Sequence, residues 1–211
     1  MRIAMIGATG LVGRNLWPLL EERHELLVIG RRSSGATREK IGAMETWPGL
    51  LQGEKVDVAI STLGSTRKAA GSWAAFEAVD RHAVLAFARA ARNAGARHFL
   101  LVSSSGANAG SRNAYLRLKG EVEQAVEALG FVRVDVVQPG LLLGERDEKR
   151  VGEGIAQTLS PVLNLLLQGP LDRYAGIPAE DVARALAALV EKQAPGIFLH
   201  QNRALRALVR R

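Results

Sequence analysis

Tyr115 and Lys119 are the residues whose types and spacing most directly suggest chemistry. Four positions apart on a helical stretch, they project from one face. A phenol is a weak acid in water, with a pKa near ~10. An ammonium beside it stabilises the phenolate and lowers that pKa. Such a pair can pass a proton to or from a carbonyl or alcohol oxygen. The run Ser103-Ser104-Ser105 closes the preceding apolar stretch, where a hydroxyl can hold that oxygen. Taken alone, Tyr-x-x-x-Lys is a common surface pair, so its meaning depends on its setting.

The setting is a glycine turn near the N-terminus, Gly7-Ala8-Thr9-Gly10-Leu11-Val12-Gly13. It follows a short apolar run and opens a helical one, the context in which glycine spacing carries information. Gly7 permits a tight turn, Gly10 lets backbone approach a pyrophosphate, and Gly13 lets the helix pack close to the sheet. The helix start then offers N–H groups and a positive dipole end to phosphates. Gly7, Thr9, Gly10, Leu11, Val12 and Gly13 are therefore the expected contacts of a dinucleotide. The second strand decides which one. Asp or Glu at its end would accept from a ribose 2′-OH. This chain has Gly30-Arg31-Arg32 instead. Two guanidinium groups bind a 2′-phosphate through charge-assisted bonds, which favours NADP(H) over NAD(H). Ser61, Thr62, Leu63 and Gly64 follow the next apolar strand and suit the floor of an adenosine site.

These groups need a scaffold that brings them to one edge. Strands are predicted at Arg2–Ile6, Glu25–Ile29, near Met44–Trp47, at Val56–Ile60, Arg97–Val102, Val132–Val137 and Gly196–His200. Helices are predicted at Leu11–Glu22, Ser72–Ala94, Asn113–Leu129 and Ala179–Lys192, with a basic helical tail over Arg203–Arg211. Strands alternating with helices indicate a doubly wound, mostly parallel α/β sheet, covered on both faces by helices. The strands are largely apolar along their length, as strands buried on both faces should be. A single domain over 1–211 is expected, with a small substrate-side lobe over about 144–178. That segment holds a charged, glycine-containing loop over Gly144–Gly154 and a helix near Ile155–Leu167. Pro139-Gly140 ends the sixth of these strands, where a nicotinamide would lie.

Composition narrows the remaining possibilities. The 211 residues are 47% hydrophobic, ample for a buried core. No run reaches the ~18 apolar residues of a membrane span. The first strand starts at Arg2, which leaves no room for a targeting segment, so a cytoplasmic protein is expected. There is no cysteine, hence no disulfide, thiolate metal site or cysteine nucleophile. The net charge of +7 is spread over scattered arginines, with little aromatic interleaving, so nucleic acid is not the expected partner. His24, His82, His98 and His200 lack metal spacing and are read as structural or surface groups. Asp80, in the long helix, is read as a solvated or capping acid, although its place also admits the groove near Tyr115. Glu180 and Asp181 favour the start of their helix through its dipole. Trp17, Trp47 and Trp73 are read as packing residues.

Taken together, the glycine turn, Ser61-Thr62-Leu63-Gly64, the serine run, Tyr115-x-x-x-Lys119 and Gln138-Pro139-Gly140 resemble the short-chain dehydrogenase/reductase superfamily, a Rossmann-fold group, in its atypical and extended branches. The stretches Ser61–Lys68, Tyr115–Val122 and Pro139–Arg146 look most like Tat-interacting-protein-type atypical members. The resemblance implies an NADP(H)-dependent oxidoreductase acting on a small-molecule carbonyl or alcohol. It makes Tyr115 the general acid/base and Lys119 its activator and ribose contact, with Pro139 beside the cofactor. The serine spacing admits Ser104 or Ser105. Ser104 is preferred, since members of this type often carry only the first two serines. A second reading also follows, an NADPH-binding regulator with little catalysis. The helices beginning at Ser72 and Asn113 offer a dimeric four-helix contact, and monomer and homodimer both fit the sequence.

Overall fold

The computed structural model describes residues 1–65, 67–144 and 169–210. Its strands are β1 (Arg2–Ile6), β2 (Glu25–Gly30), β3 (Glu39–Ile41), β4 (Val58–Ser61), β5 (His98–Val102), β6 (Arg133–Gln138), β7 (Leu141–Leu143), β8 (Gly176–Pro178) and β9 (Gly196–Gln201). Its helices are α1 (Gly13–Glu21), α2 (Trp47–Leu50), α3 (Arg67–Ala70), α4 (Trp73–Glu77), α5 (Val84–Asn93), α6 (Ala114–Glu127), α7 (Ala179–Val190) and α8 (Asn202–Val209). Seven strands form one sheet in the order β3-β2-β1-β4-β5-β6-β9, and every pairing is parallel. The order reverses beside β1, so the ends of β1 and β4 flank the crevice where ligands of open α/β sheets bind.

Alternating strand residues supply two cores. Ile3, Met5, Val28, Ile60 and Leu100 pack under α1 and α7 through Leu16, Leu20, Val182 and Leu186. Ala4, Ile6, Ile29, Phe99 and Leu101 pack under α5 and α6 through Val84, Phe87, Val122 and Val126. This double burial is why the strands read as continuous apolar runs. Among the described residues, no helix is long and apolar enough to cross a membrane.

The structure differs from the sequence reading in three places. The third strand lies at Glu39–Ile41 and pairs with Val28–Gly30, whereas Met44–Leu50 is helical. Pro48 sits in the first turn of α2, where its missing N–H costs nothing, and the Trp47 indole donates to the Gly42 carbonyl at 3.0 Å. The long helix from Ser72 is not one regular α-helix. Ser72 caps α4 by accepting from the Ala75 N–H, but Ala78–Ala83 is wound as a π-helix before α5 resumes. The third difference is an element that the sequence left unread. β7 and β8 form a separate two-stranded parallel ladder beside the end of β6. Most of the expected lobe over 144–178, including the expected helix Ile155–Leu167, lies outside the described residues.

Candidate functional site

The glycine turn closes on itself before α1 begins. The Gly10 N–H donates to the Gly7 carbonyl at 3.0 Å, and the Arg14 N–H donates to the Gly10 carbonyl at 2.9 Å. Gly7 has φ +87°, and a Cβ there would stand 2.6 Å from the backbone of Thr62 and Leu63. At Gly13 a Cβ would stand 2.1 Å from the Gly7 carbonyl oxygen. No L side chain fits either place. The turn is thus pressed between the start of α1 and the end of β4.

A cavity of about 730 Å³ opens beside it. Its wall brings together Gly7, Thr9, Gly10, Arg31, Arg32, Thr62, Leu63 and Gly64. Arg31 and Arg32 are exposed at the mouth of this cavity. Leu11, Val12 and Gly13 are not on this wall. The Val12 side chain is buried under α1, and Leu11 packs partly against the same core. Ser61 lies fully buried behind the wall, its hydroxyl without a partner. The far wall comes from Ala75, Ala78 and Val79, in α4 and the π turn.

Tyr115 and Lys119 stand on α6, whose start is capped by Asn113. Its side-chain oxygen accepts from the Tyr115 and Leu116 N–H groups at 3.0 and 3.2 Å. Gly120 lets α6 press against the loop after the serine run, since a Cβ there would stand 2.2 Å from the Ala109 nitrogen. The Tyr115 ring rests on Phe76, with centroids 5.6 Å apart. Lys119 is buried, and its ammonium meets Asp80 at 2.6 Å. The other Asp80 oxygen accepts from the Ser65 N–H at 2.8 Å and from the Ser65 hydroxyl at 2.7 Å. Asp80 is therefore neither solvated nor a cap. The π turn carries it inward to the base of the Tyr–Lys face. A Cβ on Gly64 would stand 3.7 Å from the Lys119 ammonium, so the lysine reaches the cavity wall from behind.

The serine run is zipped to the end of β6. The Ser103 N–H donates to the Val137 carbonyl at 2.7 Å, and the Ser105 N–H to the Pro139 carbonyl at 3.0 Å. The Ser103 hydroxyl donates to Glu123, which also accepts from the Gln138 amide at 3.0 Å. Burial pushes the Glu123 carboxyl up, while the bonds from Ser103 and Gln138 act the other way. Ser104 is half-buried, with only a 3.5 Å contact from its hydroxyl to the Ser105 carbonyl. The Ser105 hydroxyl is buried and without a partner. Pro139 is outside the cavity, but the next residue is fixed firmly. The Gly140 N–H donates to the Asn202 side chain at 2.9 Å, and Asn202 donates to the Asp172 and Ala175 carbonyls. Asn202 and Ser65 were not legible as site residues. Neither belongs to a spacing pattern, and each acts through a fold that brings distant segments together.

The sequence pattern of the NAD dependent epimerase/dehydratase family matches residues 3–199. Protein fmp52, mitochondrial, of Emericella nidulans is 35% identical over 187 residues, spanning 82% of this chain and 80% of the relative. This finding corrects the expectation of a cytoplasmic protein, since such relatives are named mitochondrial. Among solved structures, a short-chain dehydrogenase/reductase superfamily protein from Agrobacterium tumefaciens with bound NAD has a TM-score of 0.71 at 16% identity, covering 95% of this chain and 77% of that one. Human epimerase family protein SDR39U1 with NADPH has a TM-score of 0.63 at 19% identity, covering 95% and 74%. At those identities the likeness is one of fold. The chain therefore belongs to the NAD dependent epimerase/dehydratase family, whose pattern spans nearly its whole length, and its parallel sheet has the Rossmann-type fold of those solved structures.

Proposed function

We propose that the chain is an NADP(H)-dependent oxidoreductase acting on a small carbonyl or alcohol, with Tyr115 as general acid/base. One observation carries this reading: the buried Lys119 ammonium lies directly behind Gly64 on the cavity wall and on the helix face that bears Tyr115. Cofactor side and proton-transfer side thus meet at one lysine.

The residues present fit a dinucleotide. The glycines leave a cradle that any Cβ at Gly7 or Gly13 would fill, and the cavity size suits a nucleotide. Arg31 and Arg32 at its mouth suit a 2′-phosphate, and no acid replaces them at the end of β2. The nicotinamide, when bound, supplies or accepts the hydride. The chain's own groups hold and orient. Ser104 holds the substrate oxygen, because its hydroxyl has no strong bond within the protein, whereas that of Ser105 is shut from solvent. Tyr115 passes a proton to or from that oxygen, and Lys119 steadies the phenolate. Pro139 and the pinned Gly140 border the nicotinamide end.

Tyr115→Phe keeps the ring on Phe76 and removes the proton. Turnover of a true substrate should fall by about 10²–10⁴-fold, with NADPH affinity within about twofold of wild type. Unchanged turnover would refute the mechanism. A second reading, a cofactor-binding regulator with little catalysis, is favoured by the Asp80–Lys119 contact, which offsets the charge that would activate Tyr115. A stoichiometric partner bound only with NADPH, together with no turnover over a broad carbonyl panel, would select it.

A further inference from the structure

Two exposed aromatic rings flank the helix turn that bears Tyr115. Trp73 is the first residue of α4 and is 36% exposed, whereas Trp47 is buried. A tryptophan is ordinarily well covered, because its large apolar surface is unfavourable in water. The Trp73 ring leans on Phe76, with centroids 5.2 Å apart. Phe76 is fully buried and leans in turn on Tyr115 at 5.6 Å. Three rings thus run in a row from solvent to the phenol. Trp73 and Phe76 are three positions apart on α4, which puts them on one face. α4 and α6 return from the edge where β4 and β5 end, and Trp73 and Tyr115 lie in their first turns. On the Leu116 side of the same α6 turn stands Tyr174, 43% exposed. A Cβ on Gly106, just after the serine run, would stand 3.7 Å from both the Tyr174 ring and the Leu116 side chain. Arg173 lies over the Tyr174 ring at 4.8 Å. The chain around this ring is fastened, since the buried Asn202 side chain donates to the Asp172 and Ala175 carbonyls. Neither Trp73 nor Tyr174 lies on the wall of the dinucleotide cavity.

We propose that the substrate carries a flat apolar group beside its carbonyl or alcohol carbon, and that Trp73 selects it, with Tyr174 as a second contact. Small-molecule sites are mostly apolar, with a few polar groups that fix orientation. Here Tyr115 and Ser104 are the polar groups and the exposed rings are the apolar surface. A ring set against Trp73 gains attraction beyond the area it covers. The proposal deepens the oxidoreductase reading and rests on it for the reacting carbon, but the ring contact is testable without turnover.

Naphthylmethanol is a probe of that shape, and it cannot be oxidised while the cofactor is already reduced. Equilibrium dialysis against NADPH-saturated protein, read by naphthalene absorbance, gives its affinity. Trp73→Ala should weaken the probe by about tenfold, and Trp73→Phe by no more than about threefold. Tyr174→Ala should weaken it by about threefold. NADPH affinity should stay within about twofold of wild type in all three, because neither ring shares a partner with the cavity wall. In turnover, kcat/KM for naphthaldehyde should fall by about tenfold in Trp73→Ala, while that for propanal stays within about twofold. A merely structural role would lower both aldehydes alike. Wild type that binds no naphthylmethanol, or Trp73→Ala that binds it as well as wild type, overturns the proposal. So does an equal fall for the two aldehydes. If Trp73→Ala does not fold, Tyr174→Ala at wild-type probe affinity overturns it. A dimer that Trp73→Ala splits in sedimentation, with probe affinity unchanged, assigns the ring to a subunit contact and also overturns it. Probe binding that depends on Trp73, with no turnover of either aldehyde, supports the ring contact and sinks the oxidoreductase reading. Tyr115-dependent turnover of propanal, with no probe bound, does the reverse.

Discussion

A missing methyl group at position 13 sets how closely α1 approaches the dinucleotide turn. A Cβ there would meet the Gly7 carbonyl oxygen at 2.1 Å and the Ala8 Cα at 2.8 Å, both backbone atoms that cannot rotate away. Gly13→Ala should therefore lower stability by about 1–3 kcal/mol in urea unfolding and weaken dinucleotide binding at the same time. A stable variant with wild-type affinity would show that the close approach is dispensable. This glycine was legible in the sequence, because its role follows from backbone geometry and its neighbours are local. Asp80 was not. Regular helical spacing gives no reason to turn it inward, and its partners Lys119 and Ser65 lie 39 and 15 positions away. The π turn that aims it depends on packing between α4, α5 and α6, which no local pattern encodes. Likewise His98 and His200 were read only as structural or surface groups, and their shared partner Asp135 was not foreseen.

At the scale of elements, that partner holds three strands together. Asp135, on β6, accepts from His98 on β5 at 2.6 Å, from His200 on β9 at 2.7 Å and from Arg133 on its own strand. Burial pushes the Asp135 carboxyl up, but the bonds from His200, His98 and Arg133 together outweigh it and hold the group well below the usual carboxylate range. An acid whose folded pKa is depressed contributes stability above its unfolded pKa of about 4 and loses it as pH falls toward the folded value. Asp135→Asn leaves Arg133 buried without its counter-charge and should cost about 3 kcal/mol at neutral pH. The gap between wild type and variant should narrow as pH falls below about 4. A gap that is constant with pH in urea unfolding would contradict this account. The strands themselves were mostly legible, since both faces are buried and the apolar runs are continuous. β3 was misplaced because it is a three-residue edge strand with polar residues, and the apolar signal near Met44–Trp47 belongs to a helix that covers the sheet. β7 and β8 are equally short and are joined across 30 or more positions, so only the fold brings them together.

At the scale of the whole molecule, the parallel order β3-β2-β1-β4-β5-β6-β9 gathers every strand end that bears a candidate residue on one edge. The glycine turn follows β1, Arg31 and Arg32 follow β2, Thr62–Ser65 follow β4, the serine run follows β5 and Pro139 follows β6. Alternation of strands and helices made that edge readable without a structure, because parallel strands must all end on the same side. The location of the protein was not readable in the same way, and the relatives named mitochondrial corrected it. Cofactor choice is the claim on which the reading turns, and it rests on two exposed arginines at the cavity mouth. Titration of NADPH and NADH against wild type and the Arg31→Ala/Arg32→Ala double variant tests it directly. Wild type should prefer NADPH by at least about tenfold, and the double variant should lose most of that preference while its NADH affinity stays the same. Equal affinity for both cofactors in wild type, unchanged in the double variant, would contradict it.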